Sequence, residues 1–140
     1  MIKRIYYLIF FTLIIQGNVL AKSKYLIEGM SLYENNKFED AKFKFQQDIV
    51  FNPKSELAYL YLSKIFNKQE KKILEEQNLK TVMLLNPKNE EAIYNLAKLK
   101  LNSSDYEKSR KLNDRLKSIC VNFCVLSDKL RIEIENLSKK

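Results

Sequence analysis

Apolar residues fall along the chain first as one unbroken run and then as short stripes of helical spacing. Residues 5–15 carry no charge, and Thr12 is their only mild polar break. From Tyr25 the pattern changes. Tyr25, Gly29, Leu32 and Tyr33 recur at three- and four-residue steps, which puts them on one helical face. The stretch ENNKFED interrupts the stripe, because Asn35 and Asn36 compete for their own backbone and favour a turn. A second helix is predicted to restart near Phe38, with Ala41, Phe45 and Ile49 on its inner face. It should end by Asn52, since proline disfavours helical backbone in the residue before it and Pro53 follows.

This two-helix unit recurs. Pro53 and Pro87 are the only prolines, and each is the centre of an Asn-Pro-Lys triplet; they stand 34 residues apart. The same shift aligns Tyr25 with Tyr59 and Ile93, Gly29 with Ser63 and Ala97, Phe45 with Leu79, and Asn52 with Asn86. Three blocks result, at residues 22–55, 56–89 and 90–123, followed by a tail at 124–140. Ser55 with Glu56, and Asn89 with Glu90 and Glu91, supply N-caps and negative charge where helices begin. In the third block NSSDYEKS supplies the inner turn, with Ser104 or Asp105 as cap. The aligned small residues Gly29, Ser63 and Ala97 suit a helix crossing, where a bulky side chain would push the axes beyond about 8–10 Å.

A 34-residue helix–turn–helix repeat resembles the tetratricopeptide repeat family. Block one matches its pattern at Tyr25, Gly29, Leu32 or Tyr33, Phe38, Ala41, Phe45 and Pro53. Block two matches at Tyr59, Leu62, Ser63, Phe66, Leu79 and Pro87, but has Glu75 where alanine is expected. Block three matches at Leu96, Ala97, Tyr106 and Ser109, and departs at Lys100, at Asn113 and at Val121, which replaces the closing proline. The resemblance implies an all-α fold, a short α-solenoid of three such repeats. Such stacks need a capping helix. The stripe Val125, Leu126, Leu130, Ile134 and Leu137 predicts one over residues 124–140.

The ends and the charge bound the location. Lys3 and Arg4, the apolar run and then Val19-Leu20-Ala21 form the three-part pattern of a secretory signal peptide over residues 1–21. A spanning helix wants about 20 apolar residues, more than this run offers before Gln16, so cleavage after Ala21 is expected, with a retained anchor as the rival. The next residue is Lys22 rather than cysteine, so no lipid attachment is expected. The mature chain would then be periplasmic, with no transmembrane helix. The formal net charge of +8 falls to +6 when Lys3 and Arg4 leave, and its basic residues are interspersed with acidic ones as on a solvated surface. No nucleic-acid partner is expected.

Several chemistries lack their residues. Histidine is absent, which removes the commonest general base and metal ligand. Only Gly17 and Gly29 are glycine, so no phosphate-cradling loop is available. An enzyme is therefore not expected, and no cofactor or metal is implied. Cys120 and Cys124 are the only cysteines; in an oxidising compartment an even pair suggests a disulfide. A bridge across four residues needs a break in the helix near Val121-Asn122-Phe123. A redox-active pair and free or intermolecular thiols are the alternatives.

In the resembled family the first helix of each pair lines a concave groove that holds a peptide or a partner's helix. On this chain that lining falls on Leu26, Met30 and Tyr33; on Leu60, Lys64, Asn67 and Lys68; and on Tyr94, Lys98 and Leu101. A segment with apolar and acidic residues would complement it. The basic and asparagine residues with which some members grip a C-terminal carboxylate are missing, because those places carry Leu26, Met30, Tyr61, Glu91 and Asn95. The expected function is a non-catalytic adaptor of the cell envelope that binds another protein. The alternative is an accessory that binds an anionic polymer or membrane surface through its charge. Self-association through an end face stays open.

Overall fold

Local rules place the helices. Proline and asparagine stop them, and short polar side chains start them. The computed structural model describes residues 23–139; the expected signal peptide lies outside them. Seven helices follow in chain order: α1 (Lys24–Glu34), α2 (Phe38–Phe51), α3 (Glu56–Lys68), α4 (Lys72–Leu85), α5 (Glu90–Asn102), α6 (Tyr106–Ile119) and α7 (Cys124–Leu137). The described residues contain no strand. No helix among them is long and apolar enough to cross a membrane. Short connections make successive helices antiparallel, so α1/α2, α3/α4 and α5/α6 form pairs and α7 follows.

The turn inside each pair is built the same way without glycine. Asn36, Glu70 and Ser104, spaced by the repeat, have left-handed φ of 59°, 56° and 59°. Each is the hinge of a Schellman motif. The amides of Lys37, Lys71 and Asp105 donate back to the carbonyls of Leu32, Phe66 and Lys100, each at 2.9 Å.

The junctions between pairs line up along the opposite edge, and there carboxylates replace a common turn. Asn89 caps α5 at a junction by accepting from the amide of Ala92 (2.7 Å), and Asp105, in the inner turn of the third pair, caps α6 by accepting from that of Lys108 (3.3 Å). Ser55 corrects the expectation: it makes no side-chain cap, because its hydroxyl donates to the buried carboxylate of Asp48, which also takes the Ser23 hydroxyl. Glu56 accepts from the side-chain amides of Asn86 (3.0 Å) and Asn89 (2.5 Å). Its repeat partner Glu90 accepts from the backbone amides of Val121, Asn122 and Phe123 at 2.8–2.9 Å. Cys120 and Cys124 are bridged across this break between α6 and α7, with Cα atoms 5.3 Å apart.

The core is a chain of clusters, each joining neighbouring pairs. The first gathers Leu26, Ala41, Phe45, Ala58, Leu62, Ile65 and Phe66. The second gathers Leu60, Leu79, Val82, Ala92, Leu96 and Leu99, and the third Ala97, Leu101, Leu130 and Ile134. Leu130 and Ile134 show α7 covering the last pair, as a terminal helix must. Val125 and Leu126 depart from the expected stripe and are exposed. The buried face of α7 is phased through Ser127, Leu130 and Ile134 instead. Asn113 explains the phase, since its amide donates to the Ser127 carbonyl (3.0 Å) and its oxygen accepts from the Ser127 hydroxyl (3.0 Å). A buried polar residue on α6 thus selects a polar partner on α7.

Candidate functional site: a concave groove

A cavity of about 550 Å³ opens where the C-terminal halves of α1 and α3 meet the length of α5. Tyr33 of α1 stands at one end. Ser63, Lys64, Asn67 and Lys68 of α3 form the middle, with Glu75 of α4 beside them. Glu91, Asn95, Lys98, Leu99 and Asn102 of α5 form the other end. Lys64 and Lys98, and likewise Lys68 and Asn102, stand one repeat apart and both line the cavity, because the repeat sets equal helix phase.

The aromatic end is held rigidly. The Tyr33 ring meets Phe38 and Tyr61 edge-on, at 5.4 and 5.1 Å between centroids. Burial pushes the Tyr33 phenol above its ordinary value. The lysines are oriented rather than loose. Lys64 pairs with Glu91 at 2.7 Å and lies over the Tyr61 ring at 4.9 Å. Lys68 lies over the Phe38 ring at 5.0 Å, and Lys98 reaches Glu133 of α7 at 3.8 Å. Such cation–π placement restrains an ammonium while leaving its outer face to solvent or ligand.

Glu75 is the unusual member. It stands where the resembled repeat carries alanine, and it is buried, with the Asn67 amide donating to Oε1 at 3.0 Å. Burial pushes its carboxyl above the ordinary glutamate value, against the Asn67 hydrogen bond and the attraction of Lys72. The groove therefore combines a basic wall with a half-satisfied acidic floor.

The structure divides the sequence-predicted lining. Tyr33, Lys64, Asn67, Lys68 and Lys98 come together around the cavity. Leu26, Leu60 and Leu101 are buried in the core clusters instead, and they form the wall behind the groove rather than its surface. Met30 packs on the first cluster, and Tyr94 packs on the third and against Phe123 at 5.7 Å. Sequence reasoning missed Ser63, Glu75, Glu91, Asn95, Leu99 and Asn102 as lining residues. The signal for Glu75 was its departure from the repeat pattern, which is where a charge must find a use or a cost. No group of histidine, cysteine, aspartate or glutamate among the described residues could hold a metal ion.

No family model and no curated protein sequence matches the chain. Solved structures do match its fold. The Yersinia enterocolitica type III secretion chaperone SycD, in complex with a peptide of the translocator YopD, superposes with a TM-score of 0.73 at 17% identity, over 84% of this chain and 93% of that one. The TPR2B domain of yeast Sti1 in its Hsp70 complex gives 0.75 at 12%, over 81% and 95%. The Arabidopsis OM64 TPR domain gives 0.70 at 18%, over 82% and 98%. With six helices of the described residues paired in three units and a seventh following, the chain has the all-α solenoid fold of tetratricopeptide repeat domains.

Proposed function

We propose that this protein is a non-catalytic interaction scaffold that holds an extended or helical segment of a partner protein in the groove of α1, α3 and α5. The observation that carries the reading is the groove itself: one continuous concave surface, reaching from Tyr33 to Asn102, contributed by all three helix pairs. Its chemistry suits a partner segment with an apolar anchor against the Tyr33 cluster and carboxylates against Lys64, Lys68 and Lys98. Structural neighbours that hold peptides, among them SycD with its YopD peptide, support the class of function. The N-terminal sequence pattern supports export to the cell envelope, where such a scaffold would serve exported partners.

A photo-crosslinking residue at Tyr33 or Asn67, compared in cells with one at exposed Gln77 of α4, tests the reading. Groove positions should capture a defined protein that the Gln77 position misses. Equal capture at all three, or none in the groove, would sink it.

A further inference from the structure

We infer that the edge formed by the junctions between helix pairs is a docking surface for an anionic lipid bilayer. Three hydrogen-bonded joints place these junctions side by side: Ser23 and Ser55 meet at Asp48, Glu56 holds Asn86 and Asn89, and Glu90 holds residues 121–123. Six of the eleven exposed large apolar side chains among the described residues fall on this edge. Val50 and Leu84 occupy equivalent positions one repeat apart and are 75% and 81% exposed. Phe51 (71%), Val121 (80%), Val125 (66%) and Leu126 (37%) continue the row into the neighbouring junctions. Phe51 stacks on Tyr25 at 5.3 Å between ring centroids; core packing accounts for none of the others, since the same helices bury other faces.

Unpaired charge on the edge is basic, since Asp128 is matched by Lys117 at 2.8 Å. Asp48, Glu56 and Glu90 are turned onto the junction hydroxyls and amides, so their charge is used inside. Lys54 and Lys88, which follow the two prolines, are exposed, and no described carboxylate pairs with either. Exposed apolar residues flanked by lysines are what an interfacial bilayer contact requires. If residues 1–21 stay on as the retained anchor rather than being cleaved, their uncharged stretch at 5–15 joins the fold at Ser23 on this same edge. Apart from Glu91, the groove lining lies away from this edge, toward the other ends of α1, α3 and α5, so docking leaves it open to a partner.

A polarity probe on the full chain tests the inference. Leu84→Cys, and Lys71→Cys at the opposite edge, each carry a nitrobenzoxadiazole label while the Cys120–Cys124 bridge stays oxidised. Vesicles of phosphatidylcholine and phosphatidylglycerol should shift the emission at position 84 to the blue and leave position 71 unchanged. Lys54→Gln with Lys88→Gln should raise the lipid concentration for half the shift by roughly thirty-fold, at about 1 kcal/mol per lysine. The idea fails if position 84 stays unshifted, if both positions shift alike, or if the lysine changes have no effect. It fails also if position 84 is already blue without vesicles and reddens on dilution, which would make the edge a contact between copies of the chain.

Discussion

Gly29 lies flat against the ring of Phe45: a Cβ at position 29 would stand 2.7 Å from Cε1 and 2.9 Å from Cδ1 of that ring. The ring cannot retreat, because Phe45 is wholly buried and stacked on Tyr61 at 5.0 Å between centroids. Gly29→Ala gains helix propensity of about 1 kcal/mol, yet the overpacking it causes costs about 1–3 kcal/mol. Net destabilisation is expected in urea unfolding followed by circular dichroism. Phe45→Leu in the same chain should recover part of the loss, as coupled neighbours do. A more stable Gly29→Ala would show that the first helix pair can open without penalty.

Glu70 holds a left-handed φ of 56° at the turn of the second pair, where an L side chain is strained by about 1 kcal/mol. Glu70→Gly, or Glu70→Asn as at position 36, should stabilise the protein by about 0.5–1 kcal/mol. The denaturant midpoint should rise with no change in slope. A fall in midpoint would mean that the Glu70 side chain makes a contact outweighing its strain.

Glu75 ties stability to pH with a definite sign. Its folded carboxyl lies above the ordinary value of 4.5 because it is buried. While both folded and unfolded chains are protonated it costs nothing. As pH rises through the folded value, the buried group must ionise or hold a proton that the unfolded chain releases, and stability is lost. Glu75→Gln removes that loss and keeps a carbonyl for the Asn67 amide. Its advantage over the natural chain should be near zero below pH 4.5 and should grow toward neutral pH. A gap that is constant with pH would assign the effect to packing rather than ionisation.

The Cys120–Cys124 bridge closes a very short loop, so chain entropy limits its contribution to about 2 kcal/mol. Cys120→Ser with Cys124→Ser should raise hydrogen exchange in α7 and leave α1–α4 as protected as before. Glu90 grips the same turn, and its three backbone donors outweigh the desolvation that would raise its carboxyl, leaving it below the ordinary value. Its support should therefore be present above pH 4.5 and be lost as the carboxylate is protonated. Glu90→Ala and the cysteine pair should be non-additive, since either lets the same turn open. Additive effects would mean that they hold separate structures.

Much of this architecture was legible because it is local. Asn-Pro at positions 52–53 and 86–87 ends α2 and α4 through the backbone of one residue, whatever surrounds it. Asn89 caps α5 as its residue type suggests, but Ser55 does not cap α3, because Asp48 on the neighbouring helix claims its hydroxyl. Two equivalent boundaries thus differ for a reason that lies outside either one. Val125 and Leu126 belong to an apolar stripe on paper, and lose their place to Ser127 because Asn113 needs a polar partner there.

Of the groove, Tyr33, Lys64, Asn67, Lys68 and Lys98 are placed by the resemblance to the tetratricopeptide repeat, which implies that the first helix of each pair lines a concave face. Leu26, Leu60 and Leu101 are assigned to that face too and are buried, because the depth of a side chain depends on how far the next pair overlaps it. Glu75 could be recognised as a misfit in its repeat, but not as the groove's floor.

Amino-acid order by itself settles the helices and the three-fold repetition, because those follow from the 3.6-residue turn, from proline and asparagine chemistry, and from a 34-residue spacing that needs no coordinates. Tertiary structure alone decides which of the aligned side chains meet. The pairing of Lys64 with Glu91, the hold of Glu90 on the last junction and the row of exposed apolar residues from Val50 to Val125 all depend on the rotation of one helix pair against the next. That rotation is set by the packing of Phe45, Leu79 and their neighbours in three dimensions.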